Sequence, residues 1–364
     1  MKHLLKLLKE KKMLVIGGTG GVGKTTLSCA LALKAAKLGR KTLVLTIDPA
    51  KRLATTLGLD IKRDEPQKVK MDPPAPLWAM VLNTQKTFDA LIRKYAPSQE
   101  ITDKILSNRI YQYLASSMAG TEEYMALEKL YELHETKAFD FIVLDTPPTQ
   151  HAVSFLNAPD RLTNFLDENT MKWFLKPSFK AGKLGLKLFS SGSKIFSKVL
   201  ERVTGLKILQ DLAEFLISLQ TFYQGFKERT QKAKTILSHT DTSFFIVTHP
   251  ETTLLQQALT FQEHLLQKNI HMDAILMNRV TSTIPLSPEE KDEMDALDIQ
   301  KFSKSDQMVF DIFQSYENLA QSEKKEIQAF QEQLPKDVHV FEIPFFEEDI
   351  YDIKGLNRLN LHIF

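Results

Sequence analysis

The segment Gly18-Thr19-Gly20-Gly21-Val22-Gly23-Lys24-Thr25 constrains this chain more than any other part of it. It follows a short apolar run, Met13–Ile16, and opens a stretch of helical apolar density, Thr25–Leu38, that Gly39 closes. Strand, glycine-rich turn and helix in that order, with the pattern GxxxxGK(S/T) on the turn, form a loop built for phosphate. The glycines let backbone N–H groups wrap an anion, and the helix N-terminus adds its dipole. Lys24 then reaches the β and γ oxygens of a nucleotide, and Thr25 offers a hydroxyl to Mg²⁺. Gly18, Gly20, Gly21, Val22, Gly23, Lys24, Thr25 and Thr26 are therefore the expected contacts of ATP, with Lys24 also a catalytic candidate.

The rest of the chain fits the architecture such a loop needs. Apolar runs recur at Thr42–Ile47, Trp78–Leu82, Phe141–Leu144, Phe244–Thr248, Ala274–Met277 and Val338–Ile343, separated by helical segments. Continuous apolar strands alternating with helices predict an α/β fold, a P-loop NTPase with a mostly parallel sheet flanked by helices. A long helical stretch, Thr84–Leu133, separates the Trp78 and Phe141 strands, and Ser282–Gln333 is polar, acid-rich at Glu289–Asp298, and helical in character.

Two of these strands end in acids. Phe141-Ile-Val-Leu-Asp145 places a carboxylate at the strand's C-terminal edge, where it holds Mg²⁺ or the water bound to it. Thr42–Ile47 ends in Asp48-Pro49, which puts a second carboxylate beside the phosphates or else makes a plain strand-to-turn junction. Thr25, Asp48 and Asp145 are thus the expected magnesium ligands, partly through water. The guanine-reading pattern Asn-Lys-x-Asp is missing after the later strand, where Met277-Asn278-Arg279-Val280 stands instead. An Asn amide carries a donor and an acceptor and so matches the adenine edge, which makes Asn278 the base-reading candidate.

Composition removes several function classes. With 47 basic and 45 acidic residues the net charge is only +2, so nothing global draws the chain to nucleic acid. One cysteine, Cys29, excludes an intramolecular disulfide, a zinc clasp and a multi-thiolate metalloid site, and fits a reducing cytoplasm. The opening MKHLLKLLKEKK is interrupted by lysines, and no run approaches about 18 apolar residues, so neither a signal peptide nor a membrane span is expected.

Between about Pro148 and Leu237 the strand signal vanishes. This predicts a domain division: a nucleotide-binding domain from 1–147 and 238–364, and an inserted helical subdomain at 148–237, with helices from 84–133 contributing. From Lys172 to Lys207 the insert carries repeated lysines against one acid, Glu201, while Ile195, Phe196, Val199, Leu200 and Val203 share a helix face. That combination is either a packed helix or an apolar, basic-rimmed surface for a client segment or an anionic membrane.

Four segments resemble the ArsA family of deviant-Walker ATPases, which includes the arsenical-pump ATPase and the ATPase that targets tail-anchored membrane proteins. They are GGTGGVGKTT (Gly17–Thr26), TIDPAKRLATTLGL (Thr46–Leu59), DTPPTQHAVSFLNAP (Asp145–Pro159) and IPFFEEDIYDIKGL (Ile343–Leu356). The second and third resemble the family's switch I and switch II. The stretch Asn108–Leu133 looks like a bacterial subgroup of ArsA-like proteins. The resemblance implies a dimer with nucleotide at its interface, switch loops that sense the γ-phosphate, and a helical subdomain that opens or closes over a client. It also implies that Pro344 lies against the adenine beside Asn278.

The departures from the family pattern bear on mechanism. Thr19 stands where the family carries its signature lysine, which crosses to the partner's phosphates. Thr55 stands where the targeting ATPase places a water-positioning aspartate. Gln150 replaces the usual switch II glycine and brings a side chain able to orient water, as in some GTPases. Lys51 and Arg52 are candidate substitutes for the missing cation. The zinc clasp of the targeting ATPase is absent. Three functions follow: an ATP-hydrolysing switch that binds a client, as a homodimer or a heterodimer with a paralogue; a weak nucleotide-binding subunit completed by a paralogue; or a metabolic ATP-dependent synthetase, which the long switch II match disfavours.

Overall fold

The computed structural model describes residues 2–47, 52–60, 64–71, 76–117, 121–147 and 223–364 except 298, 300 and 301, with single positions at 211, 215 and 218. The elements in chain order are α1 (Lys2–Glu10), β1 (Met13–Gly18), α2 (Lys24–Lys37), β2 (Thr42–Thr46), α3 (Arg52–Leu57), β3 (Gln67–Lys68) and β4 (Leu77–Val81). Four helices follow, α4 (Thr84–Tyr95), α5 (Gln99–Ser107), α6 (Arg109–Ser117) and α7 (Thr121–Glu135), before β5 (Phe141–Asp145). The remainder is α8 (Tyr223–Leu237), β6 (Thr242–Thr248), α9 (Thr252–Gln267), β7 (Met272–Val280), α10 (Pro288–Asp295), α11 (Lys304–Gln331), β8 (His339–Pro344) and α12 (Ile353–Ile363).

The strands form one eight-stranded sheet in the order β3-β4-β2-β5-β1-β6-β7-β8. Every pairing is parallel except the short edge pair of β3 with β4. Side chains alternate between faces along a strand, so a continuous apolar run must be covered on both sides. It is: Met13, Val15, Leu43, Leu45, Ile142 and Leu144 join one core with α4, α7 and α9. Leu14, Ile16, Val44 and Val143 join a second core with α1, α2 and α12.

The expected strands are all present, with β6 and β7 starting two residues earlier than the apolar runs suggest. The helical stretch after β4 divides into four helices, because Asn83, Ser98 and Asn108 offer side-chain acceptors to free backbone N–H groups. The sequence reading missed two elements. Gln67–Lys68 is too short and polar to register as a strand. The lysine-interrupted start folds as α1, whose Leu4, Leu7 and Leu8 are buried while Lys6 and Lys9 face out. Among the described residues no helix is long and apolar enough to cross a membrane. The basic stretch Lys172–Lys207 lies outside the described residues, as do Asp48, Lys51 and Gln150.

Candidate functional site

The C-terminal ends of β1, β2 and β5 meet at the start of α2, and the sheet order makes this unavoidable: β5 is hydrogen-bonded to both β1 and β2. Strand β1 runs into the loop at Gly18, whose φ of +148° sets it so close to β6 that a Cβ would strike the Val247 carbonyl oxygen. Gly20 and Gly21 are exposed at the loop's crest, Val22 is buried beneath it, and Gly23 caps α2 in the left-handed conformation. The first residue of α2, Lys24, is only 8% exposed. Its Nζ donates to the Thr19 carbonyl oxygen at 2.7 Å, so the ammonium is folded across its own loop.

Asp145 is the hub. It is 1% exposed and its carboxylate accepts three hydroxyls: Thr25 Oγ1 at 2.6 Å and Thr46 Oγ1 at 2.8 Å on Oδ2, and Ser28 Oγ at 3.3 Å on Oδ1. The three hydroxyl donors replace part of the water that burial removes from this carboxylate. These contacts tie the ends of β2 and β5 to the phosphate loop through one side chain. Next to it, Thr146 donates through Oγ1 to the Ile16 carbonyl at 2.7 Å and locks the end of β5 onto β1.

The sequence reading named Thr25 and Asp145 but missed Thr46, Ser28 and Thr146. Ser28 had a signal, being one helical turn after Thr25 and so on the same face. Thr46 and Thr146 had none beyond a hydroxyl at a strand end. Thr19 is buried at 9%, with Oγ1 closed off and without a hydrogen-bond partner. Thr55 lies on α3.

On the other side of α2 a cavity of about 540 Å³ opens, lined by Gly23, Thr25, Thr26, Asn278, Pro344 and Phe345 among others. The structure thus brings Asn278 and Pro344, from the ends of β7 and β8, to the same space as the phosphate loop. The Asn278 amide already has a partner, donating through Nδ2 to the Val22 carbonyl at 2.8 Å. Cys29 is fully buried in α2, and burial together with the neighbouring Asp145 charge pushes its thiol well up, which keeps it protonated and unreactive.

A family model described as anion-transporting ATPase matches residues 11–364. The chain belongs to the anion-transporting ATPase (ArsA) family. This ATPase is 28% identical over 289 residues to the ATPase ASNA1 homolog of Babesia bovis, covering 79% of this chain and 72% of that one. It is 26% identical to ATPase GET3 of Podospora anserina, over 78% of this chain and 77% of that one. A relative from Aquifex aeolicus with the provisional name arsenical pump-driving ATPase 1 is 26% identical over 96% of this chain and 77% of its own. The family membership and these relatives establish ATP hydrolysis as the chemistry of this chain.

Proposed function

We propose that this ATPase is a Mg-ATP-dependent switch of the cytoplasm, acting as a dimer and coupling its nucleotide state to a client through the helical subdomain of residues 148–237 and helices 84–133. The observation that carries this reading is the shared carboxylate of Asp145, which receives one hydroxyl from the phosphate loop and one from the end of β2. The segments following β2 and β5 are those that resemble switch I and switch II. A change in what the Thr25 hydroxyl binds therefore alters the anchoring of both.

Thr25 and Asp145 are hard oxygen donors that suit Mg²⁺, which supplies neutralisation of β- and γ-phosphate charge when bound with the nucleotide. Within the chain, Lys24 exchanges the Thr19 carbonyl for phosphate oxygen, and Gly20–Thr26 present backbone donors. In this reading Asn278 and Pro344 receive the adenine, Asp48 joins Thr25 and Asp145 at the magnesium ion, partly through water, and Gln150 orients the attacking water. Burial of the uncharged Thr19 favours a second reading, in which a paralogous chain supplies the missing cation.

Steady-state ATPase activity of the purified chain, with light scattering in ADP and in a non-hydrolysable ATP analogue, separates the two. Turnover above that of Asp145→Asn, with an ATP-dependent homodimer, supports the self-sufficient switch. Tight nucleotide binding without turnover or dimer overturns it in favour of the paralogue.

A further inference from the structure

Helix α11 is rooted in the protein by its C-terminal half, where Ala320, Ile327 and Phe330 are buried. The Glu323 and Glu317 carboxylates accept the backbone N–H groups of Thr281 and Ile284 at 2.7 and 2.6 Å. Those two residues follow β7, whose irregular end, with its register shift against β8 between Met277 and Val280, borders the cavity of Asn278 and Pro344. As the helix is followed back from Glu323 to Glu317 it runs away from the sheet, and the turns from Glu317 to Lys304 carry about 20 Å more of it past the edge where that cavity opens. Phe310 and Phe313 of this projecting part are half-buried, but Met308, Val309, Ile312, Tyr316 and Leu319 are 39 to 66% exposed. Val309, Ile312, Tyr316 and Leu319 follow one another at steps of three, four and three, the a/d spacing of a coiled-coil seam. The stripe bares roughly 500 Å² of apolar surface, as much as the largest patch on an ordinary monomer.

The seam has the same spacing in both directions. Turned end to end about Gln314, a second α11 sets Val309 opposite the partner's Leu319 and Ile312 opposite the partner's Tyr316, so that a meets d and every contact is made twice, as a two-fold interface requires. Such a pair covers about 1,000 Å² in total, the area a specific interface needs. The positions flanking the seam, Asp306, Met308, Phe313, Ser315, Ala320 and Ser322, hold a single charge, and Asp306 falls level with the partner's Ser322, so no like charges meet. A parallel pair is disfavoured by bulk, because each helix is rooted in its own sheet by its C-terminal half and both bodies would crowd one end. We propose that a second copy of this chain docks on α11, the two helices packing antiparallel along Met308–Leu319. The inference rests on the reading of the chain as a homodimer and names the surface that joins its halves. Because α11 projects past the cavity edge of each sheet, the antiparallel pair turns those two edges toward each other.

The test is light scattering of the full chain, in ADP and in a non-hydrolysable ATP analogue, for the wild type, Ile312→Leu and Ile312→Asp. Ile312 is exposed in the single chain, so either substitution leaves the fold and the affinity for ATP unchanged. Ile312→Asp puts two carboxylates into an apolar seam and is expected to weaken the dimer roughly a hundredfold, with Ile312→Leu close to wild type. Disulfide crosslinking reads the register. Chains carrying Val309→Cys should crosslink under oxidation to chains carrying Leu319→Cys, and neither should crosslink to itself; the native Cys29 is fully buried and takes no part. Three outcomes overturn the proposal: a dimer that Ile312→Asp leaves intact, a mixed pair that does not crosslink, or Val309→Cys chains that crosslink to one another, which is the parallel register. A wild type that is monomeric in both nucleotides is a different failure, since it removes the homodimer reading itself.

Discussion

Single residues at this site do sharply different work, and their substitutions separate cleanly. Lys24→Ala removes the only side chain of the loop motif that carries a positive charge, and nucleotide affinity in calorimetry is expected to fall about a hundredfold, the scale of one or two charge-assisted hydrogen bonds. Asp145→Asn keeps shape but replaces an acceptor with a donor opposite Thr25, Thr46 or Ser28. Turnover is expected to drop to background while ATP binding stays within about tenfold, because a charge lost from the proposed magnesium ligand acts on chemistry more than on phosphate contacts.

His249 carries a pH signature. Burial, and then the Arg279 charge, hold its imidazole below its ordinary value of 6.5, against the opposing pull of the Val22 carbonyl, Glu251 and Glu323. The unfolded chain therefore binds more protons than the folded one as pH falls below 6.5, so this contribution to stability is complete above that value and is lost on acidification. His249→Gln is expected to flatten the acid limb of the stability profile in urea denaturation, and an unchanged limb would remove the assignment.

At the level of elements, the longer strands were readable because a buried parallel strand leaves a continuous apolar run, as at Met13–Ile16 and Phe141–Leu144, and α2 was readable from its helical apolar density. Strand β3 was not readable, since two polar residues at an edge carry no pattern. Helix α8 shows how tertiary contacts organise the helical side of the molecule. Its Arg229 stacks between Tyr95 of α4 and Tyr131 of α7, with ring centroids 4.8 and 4.6 Å away, and pairs with the buried Glu128. Arg229→Leu leaves that carboxylate without its guanidinium, and a loss of about 3 kcal/mol is expected in chemical denaturation. Adding Glu128→Gln should recover much of it. If it recovers nothing, the cost comes from the lost stacking on the tyrosines rather than from the charge.

For the whole molecule, the sheet gathers the ends of β1, β2 and β5 at one edge, with β6, β7 and β8 extending the same edge toward the Asn278 and Pro344 cavity. The proposed client surface belongs to the lysine-rich insert, outside the described residues. Charge reversal at Lys183, Lys187, Lys194 and Lys198 should leave ATP turnover intact while reducing capture of an apolar segment or of anionic vesicles several-fold in flotation. Equal capture by variant and wild type would remove the functional reading of the insert.

By itself the sequence determined the α/β class and picked out the loop motif and the acid at the end of β5, because each is written in contiguous residues whose spacing follows backbone geometry. Gly18–Thr25 and Phe141–Asp145 need no distant partner to be recognised. Only the tertiary structure decided that Thr46, Ser28 and Thr25 share Asp145, and that Asn278 meets the Val22 carbonyl. These contacts join residues between 99 and 256 positions apart wherever a hydrogen bond is formed to Asp145 or Val22. Contacts at such separations depend on strand order and on a local irregularity in β7, and neither leaves a periodic trace along the chain.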